Sequence, residues 1–369
     1  MTEESANNGS LRNVAPKDGS AKKKRRGSGK KKRSVVMPII VLCLIVVAAA
    51  GVYLSPMVLK HAAKDAVIKI PRGATIDMVH DSVSKYLGDD YARYVMMLAK
   101  VFKLDAEKRH GAYIIKKGAT PLSAGRLLAR GGKTGVTLTI NGHRTKEDLA
   151  LRIASVLDVN RNEMLAALSA DSLLSKYSVD PETVMTLFLN NSYELYWDAT
   201  PEDVIARMHE EYGKFWNEER TKKADALGIT PAEVCIIASI VDEETNMADE
   251  KGRVGRLYLN RYKTGMRLQA DPTVRYALGD FTIKRVTGVD LKTESPYNTY
   301  IHKGLPPGPI RTPDGRTIDA LLNSEESDDL FMCADASFNG RHHFSPDYQT
   351  HLQYSKKYHE ALNKRNIYR

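Results

Sequence analysis

The strongest pattern in the chain is an uncharged stretch of 26 residues, Ser34 to Leu59, with an apolar centre from Val35 to Leu54. About twenty such residues wound as a helix span about 30 Å, the thickness of a bilayer core. Pro38 and Gly51 are tolerable inside such a helix, and Pro56 marks its exit. Beyond Lys60 the pattern becomes short-ranged. Val67–Thr75 reads as a strand followed by a Gly-containing turn and a Thr cap, and Ile76–Leu87 then repeats apolar positions at helical spacing. The same order recurs at Tyr113–Thr120 followed by Pro121–Arg130, with Pro121 at the first helical position. Tyr91–Leu104 is an apolar helical segment between the two copies.

A third unit begins with the strand Val136–Ile140, an Asn141-Gly142 turn and a helix capped by Thr145. Further helices are expected at 161–169 and 201–215. Thr230-Pro-Ala-Glu233 is a capping box that opens a helix running to about Thr245. After Gly265 the chain turns loop-rich, and Gly304–Ile310, with three prolines, suits neither a helix nor a central strand. The pattern predicts an α+β fold: one N-terminal transmembrane helix, a small α+β subdomain and a larger α+β domain.

Composition changes this picture mainly through charge. The net charge is +10, which taken alone would suggest nucleic acid. Eleven Lys and Arg against three acids fall in residues 1–34, so the remainder carries only about +2. The basic signal belongs to a tail beside an apolar span. By the positive-inside rule that tail is cytoplasmic and everything after Lys60 is exported. A cleaved signal peptide ending near Ala48–Ala50 is the rival reading, disfavoured by the length of the apolar run. Three cysteines cannot form a disulfide scaffold. Cys43 lies in the span, while Cys235 and Cys333 sit in apolar runs; a bridge between those two is left open.

Candidate chemistry centres on the helix from Thr230. At 100° per residue, Ile237, Ile240, Val241, Glu244 and Ala248 share one stripe, and Asp242 and Glu243 point away from it. Of three successive acids, only Glu244 is expected on the buried face. Desolvation raises the pKa of such a carboxyl, which is what a general acid for glycosidic cleavage requires. The bland alternatives are a Glu neutralised by an Arg such as Arg253 or Arg256, or a helix end emerging into water.

Ala-Ser-Ile-Val-Asp-Glu-Glu-Thr (238–245), Leu-Tyr-Leu-Asn-Arg-Tyr (257–262), the Gly265–Gly279 segment containing Leu-Gln-Ala-Asp-Pro-Thr-Val, Ser-Pro-Tyr-Asn-Thr-Tyr (295–300) and Gly-Leu-Pro-Pro-Gly-Pro-Ile (304–310) occur in this order. Together they resemble the YceG-like family of endolytic murein transglycosylases, over roughly residues 65–365. The resemblance implies a membrane-anchored enzyme that cuts the MurNAc–GlcNAc β-1,4 bond inside nascent peptidoglycan strands and leaves 1,6-anhydroMurNAc ends, without a cofactor. It places the catalytic glutamate on Glu244, acting first as acid and then as base, because the sugar's own C6 hydroxyl replaces water. The first acid of the family's pattern is Asp242 here.

Gln269, Asp271, Tyr297, Asn298, Thr299 and His343 are the residues expected to contact substrate, and no metal is expected. Tyr300 suits either stacking or packing. The resemblance divides the chain into a basic cytoplasmic tail (1–34), a transmembrane helix (35–55), a LysM-like subdomain (61–134) and a catalytic domain (135–369). Peptidoglycan strands and the membrane are the expected partners, with wall-synthesis proteins a further possibility and nucleic acid excluded. Ser192–Ala199 lacks the Gly and Pro residues of the family's segment at that place, so no site role is carried to it. Rival functions are a hydrolytic muramidase pairing Glu244 with Asp271, and a non-catalytic wall-binding scaffold.

Overall fold

The computed structural model describes residues 36–283 and 286–365, so the basic tail expected at 1–34 lies outside the described residues. Helix α1, Val36–Leu54, is apolar throughout and buries none of its residues. With the short α2 (Pro56–Leu59) it forms the one apolar segment among the described residues long enough to cross a membrane. Contacts divide the chain into two compact units, 1–55 and 56–369.

Among its described residues the second unit has three hydrophobic cores, two of which share the half-buried Tyr212, and three two-stranded antiparallel sheets. In the first, β1 (Ala66–Ile70) pairs with β2 (Gly111–Ile115), Ala66 opposite Ile115. Each strand leads through a turn and a Thr cap into a helix. Thr75 opens α3 (Ile76–Leu87) and Thr120, with Pro121 at the first position, opens α5 (Pro121–Arg130). Helix α4 (Asp89–Val101) lies between them in sequence. The internal repeat read from the sequence is therefore real, and its two strands pair with each other. Ile68, Ile70, Val83, Val95, Tyr113 and Leu128 are essentially inaccessible, each burial contributing about 1.5–3 kcal/mol for an aliphatic side chain.

The second core forms around β3 (Gly135–Ile140) and β4 (Asn191–Tyr196), which pair from Gly135–Tyr196 to Ile140–Asn191. Strand β4 is the segment where the family's Gly- and Pro-containing motif was missing. Asn141-Gly142 does not close a hairpin, because the partner of β3 lies some fifty residues further on. Helix α6 (Lys146–Val156) starts at the expected Thr145 cap; α7 (Arg161–Ala167) and α9 (Pro201–Phe215) fall in the expected helical segments, opened by Asn160 and by a full capping box at Thr200 and Asp203, and the short α8 (Asp171–Leu174), which no sequence signal announced, has no side-chain cap. Trp197 is buried, with Lys69 over its ring at 5.3 Å.

The third core is built on α11 (Pro231–Glu244), wrapped by α10 (Glu218–Ala226), α12 (Lys251–Lys263), α13 (Asp271–Leu278) and α14 (Gly315–Leu322). The chain ends in the hairpin β5 (Phe331–Ala334) and β6 (His342–Ser345), against which α15 (Tyr348–Lys364) packs. The region after Gly265 is thus less loop-rich than its sequence suggests. Cys235 and Cys333 are free.

Candidate active site

Helix α11 starts as predicted. Thr230 accepts from the Glu233 N–H at 3.2 Å, and Glu233 accepts from the Thr230 N–H at 2.7 Å. Every residue from Val234 to Asp242 is buried, so this is a central helix, apolar all round, rather than an amphipathic one. That corrects the single-stripe expectation: Asp242 and Glu243 do not point to solvent, and Ala248 lies beyond the helix end. All three acids are drawn into the protein at the helix C-terminus, where the helix dipole disfavours negative charge and the last turn carries no basic residue.

Their partners differ. Asp242 accepts from Lys251 Nζ at 2.5 Å, from the Thr317 hydroxyl and from the Asp314 N–H at 3.0 Å. Glu243 is held by Arg144 through Nε at 3.1 Å and an Nη at 2.8 Å, and by Arg311 at 2.8 Å. The Arg311 guanidinium lies where a side chain at residue 142 would project, and Gly142 leaves that space open with φ +65°. Glu244 takes part in no ion pair among the described residues. Arg253 and Arg256, its candidate neutralisers, bind Asp329 and Ser324 instead.

Burial pushes the Glu244 carboxyl above the usual carboxylate range, and the charge of Asp271 pushes it further. His342, Arg275 and a hydrogen bond with Tyr258 act in the opposite direction. Helix α12 supplies two of these surroundings at an i, i+3 spacing. Tyr258 is fully buried and its hydroxyl is raised well above its ordinary value by desolvation and by Glu244. Arg261 is buried too, its Nε donating to the Leu330 carbonyl at 2.6 Å and an Nη to that of Leu268. With two carbonyls and the Phe331 ring, 5.7 Å from its guanidinium, as partners and no carboxylate bonded to it among the described residues, Arg261 brings a positive charge beside Tyr258, Tyr300 and Glu244.

The sequence-predicted binding residues divide into two sets. Gln269 and Asp271 are exposed. Gln269 adopts the left-handed backbone region, φ +49°, between buried Leu268 and Ala270, a strained conformation for a residue with a Cβ. Asp271 opens α13 and accepts from the Tyr300 hydroxyl at 2.6 Å. Thr299 and Asn298 are buried and build the loop. Thr299 Oγ1 takes the Ala270 N–H at 3.0 Å and its carbonyl takes that of Gln269 at 3.2 Å. Asn298 donates to the carbonyls of Leu291 and Thr293 and accepts from the Tyr300 N–H at 3.0 Å, which uses both ends of its amide. Tyr297 donates to Glu182 at 2.7 Å and rests on Tyr276, ring centres 4.6 Å apart.

His343 stacks on Tyr354 at 4.4 Å and lies 3.0 Å from Asp335, which places it in the contact between the hairpin and α15. Its neighbour His342 faces the other side of the strand. Glu250 holds it there, accepting the His342 N–H at 3.0 Å and lying 3.1 Å from Nδ1. His342 is the histidine whose charge acts on Glu244. Tyr258, Arg261, Arg275, Glu250 and His342 were not singled out from the sequence. The pair Tyr258 and Arg261 had a signal in the helical spacing of its motif. His342 required knowing which face of β6 turns inward. Among the described residues no group of three or more His, Cys, Asp or Glu is placed to hold a metal ion.

A half-buried carboxyl with no ion-pair partner among the described residues and a raised pKa, set beside a phenol, an arginine and an exposed Asp, is the arrangement a general acid requires. The sequence model of the YceG-like family matches residues 68–357, and the chain belongs to that family. An endolytic murein transglycosylase of Bacillus subtilis (strain 168) is 26% identical, the match covering 75% of this chain and 84% of that protein. One of the same name from Streptococcus pneumoniae (serotype 2, strain D39) is 25% identical over 41% of this chain, a match covering 27% of that longer protein. In fold, the chain is similar to a crystal structure of a yceG-like protein from Listeria monocytogenes, with a TM-score of 0.50 and 23% identity over 79% of this chain and 98% of that one.

Proposed function

We propose that this chain is a membrane-anchored lytic transglycosylase that cuts the MurNAc–GlcNAc β-1,4 bond of peptidoglycan strands, with Glu244 as the proton donor and then the proton acceptor. The observation that carries the reading is the different pairing of three consecutive acids: Asp242 and Glu243 are neutralised by Lys251, Arg144 and Arg311, and Glu244 is not. A carboxyl kept protonated by desolvation gives its proton to the leaving glycosidic oxygen. Once ionised, it takes the proton of the C6 hydroxyl that attacks the anomeric carbon, which closes the 1,6-anhydro ring and restores the acid. Asp271 and Gln269 stand at the exposed side of the site to contact the sugar, and the Asp271 carboxylate opposes the positive charge that develops at the anomeric centre.

Residues 61–134 act in this reading as a LysM-like subdomain and 135–369 as the catalytic domain. Helix α1 anchors the chain with residues 1–34 in the cytoplasm. An N-terminal tag spared by protease added to intact spheroplasts supports that orientation, and a tag digested from outside refutes it.

Mass spectrometry of peptidoglycan strands treated with the purified protein tests the chemistry. Products ending in 1,6-anhydroMurNAc support the lytic route. Reducing ends carrying oxygen from labelled water would instead establish hydrolysis, with Asp271 as the second acid.

A further inference from the structure

Two cavities of about 710 and 650 Å³ lie at opposite ends of β4. The first is lined by Glu194, Tyr196 and Asp198 together with Arg72, His110 and Lys133 of the preceding subdomain. The second is lined by Thr139, Asn190, Asn191, Ser192, Asp314 and Asp319. Helix α9 borders both, giving Asp203 and Arg207 to the first and Glu211 and Lys214 to the second. From Asp203 to Lys214 a helix rises about 17 Å, and the five steps along β4 cover about the same length. The cavities are therefore two ends of one polar groove between β4 and α9. At its far end Asp314 also donates its N–H to Asp242, two residues before Glu244.

The lining selects among occupants. Three of its cations pair with carboxylates, Arg207 with Glu211 at 2.9 Å, Lys214 with Glu211 at 3.0 Å and Lys133 with Asp198 at 2.5 Å, while Arg72 donates to the Asp198 carbonyl instead. The two linings together hold five Lys and Arg against six Asp and Glu, so there is no net positive charge to hold a polyanion. The outward residues Thr137, Thr139, Ser192 and Glu194 are hydrophilic, and Tyr196, 60% exposed, is the large apolar surface on that side of β4. Asp198 Oδ1 and Arg207 Nε are buried at the first cavity without hydrogen-bond partners, an unmet acceptor and an unmet donor. A length of about 17 Å, paired hydroxyl and amide groups, balanced charge and one open aromatic face together fit an extended, uncharged, polyhydroxylated chain.

We infer that the groove between β4 and α9 binds a stretch of glycan several sugars long, lying outside the bond that is cut; this rests on the lytic reading for the identity of the polymer. Tyr196 stacks on a sugar face at one end, and the Asn and Ser side chains of β4 and its flanks hydrogen-bond the chain toward the other.

Calorimetric titration of the full-length chain in detergent with the hexamer of β-1,4-linked N-acetylglucosamine tests this, using Glu244→Gln to prevent turnover. Tyr196→Ala in that background should weaken binding roughly tenfold. Ser192→Trp should abolish it by filling the groove. Each variant is checked for an unchanged melting temperature, and Tyr196→Ala, a change at an exposed side chain, carries the test alone if Ser192→Trp fails to fold. Unchanged affinity in Tyr196→Ala would overturn the inference. So would no binding of the hexamer by the parent protein, or preferential binding of an unglycosylated extended peptide that Ser192→Trp blocks. A Glu244→Gln protein that still released anhydro ends from peptidoglycan would refute the catalytic assignment alone, since the hexamer used in the titration contains no MurNAc from which such ends form. A failed titration beside a dead Glu244→Gln protein would refute the groove alone.

Discussion

Exchanging the Glu244 carboxyl for an amide keeps the side chain's shape and removes its proton chemistry, so stability and activity part company there. The folded-state pKa of Glu244 is raised by burial and by Asp271. Its contribution to stability is thus fully present below the unfolded value of about 4.3 and is lost as pH rises through the folded one. Glu244→Gln lacks this loss. Its melting temperature relative to the parent should be unchanged near pH 4, should gain with rising pH and should level off once Glu244 ionises, as calorimetry between pH 4 and 9 would record. The same direction governs activity: the donor must be protonated, so turnover falls as pH rises through the raised pKa. Glu243 is instead held in ion pairs. Glu243→Gln leaves Arg144 and Arg311 without a counter-charge at a side chain only 10% exposed, and it should cost about 2–3 kcal/mol in urea denaturation.

At the scale of elements, the sequence carried local instructions well and tertiary ones poorly. Caps at Thr75, Thr120, Thr145, Thr200 and Thr230 set helix starts because a side-chain oxygen satisfying an orphan N–H is a contact three residues away. The orientation of Asp242 and Glu243 was misread because their partners, Lys251, Thr317, Arg144 and Arg311, come from four other segments, and no periodicity within α11 encodes them. The contact of His342 with Glu250 was illegible for the same reason: a two-residue alternation assigns His342 and His343 to opposite faces without saying which one meets Glu250.

The Leu-Pro-Pro-Gly-Pro segment shows what a motif can hide. A Cβ at Gly308 would sit 1.9 Å from the Glu182 carbonyl oxygen and 3.1 Å from the Tyr297 hydroxyl. The glycine is required by a backbone approach that pins this loop beside the Tyr297 loop. Gly308→Ala should lower stability by about 1–3 kcal/mol and reduce turnover with it, read by denaturation and by product release.

Across the described residues of the second unit, Tyr212 packs against both the second and the third core, while the first core is tied to the rest by polar contacts. Asp198 is the chief joint between the first subdomain and the rest. It accepts from Lys133 at 2.5 Å and from His110, while Arg72 donates to its carbonyl at 2.5 Å. Desolvation opposes its charge, but Lys133 and His110 hold its pKa below the ordinary value, so this contribution is present at neutral pH and lost as pH falls through the depressed pKa. Asp198→Asn should cost about 3 kcal/mol near pH 7 and less in acid. Hydrogen exchange should show residues 61–134 opening first.

The central claim is that one unpaired carboxyl of three does the chemistry. Release of anhydro-muropeptides from uncrosslinked strands, compared among the parent, Glu244→Gln and Glu243→Gln at equal folded concentration, tests it most directly. General acid–base assistance is worth about 10²–10⁴-fold, and one group serves both steps here. Glu244→Gln should therefore lose activity toward the upper end of that range, while Glu243→Gln, corrected for its folded fraction, retains most of its turnover. Release by Glu244→Gln near the parental rate, or loss confined to Glu243→Gln, would contradict the account.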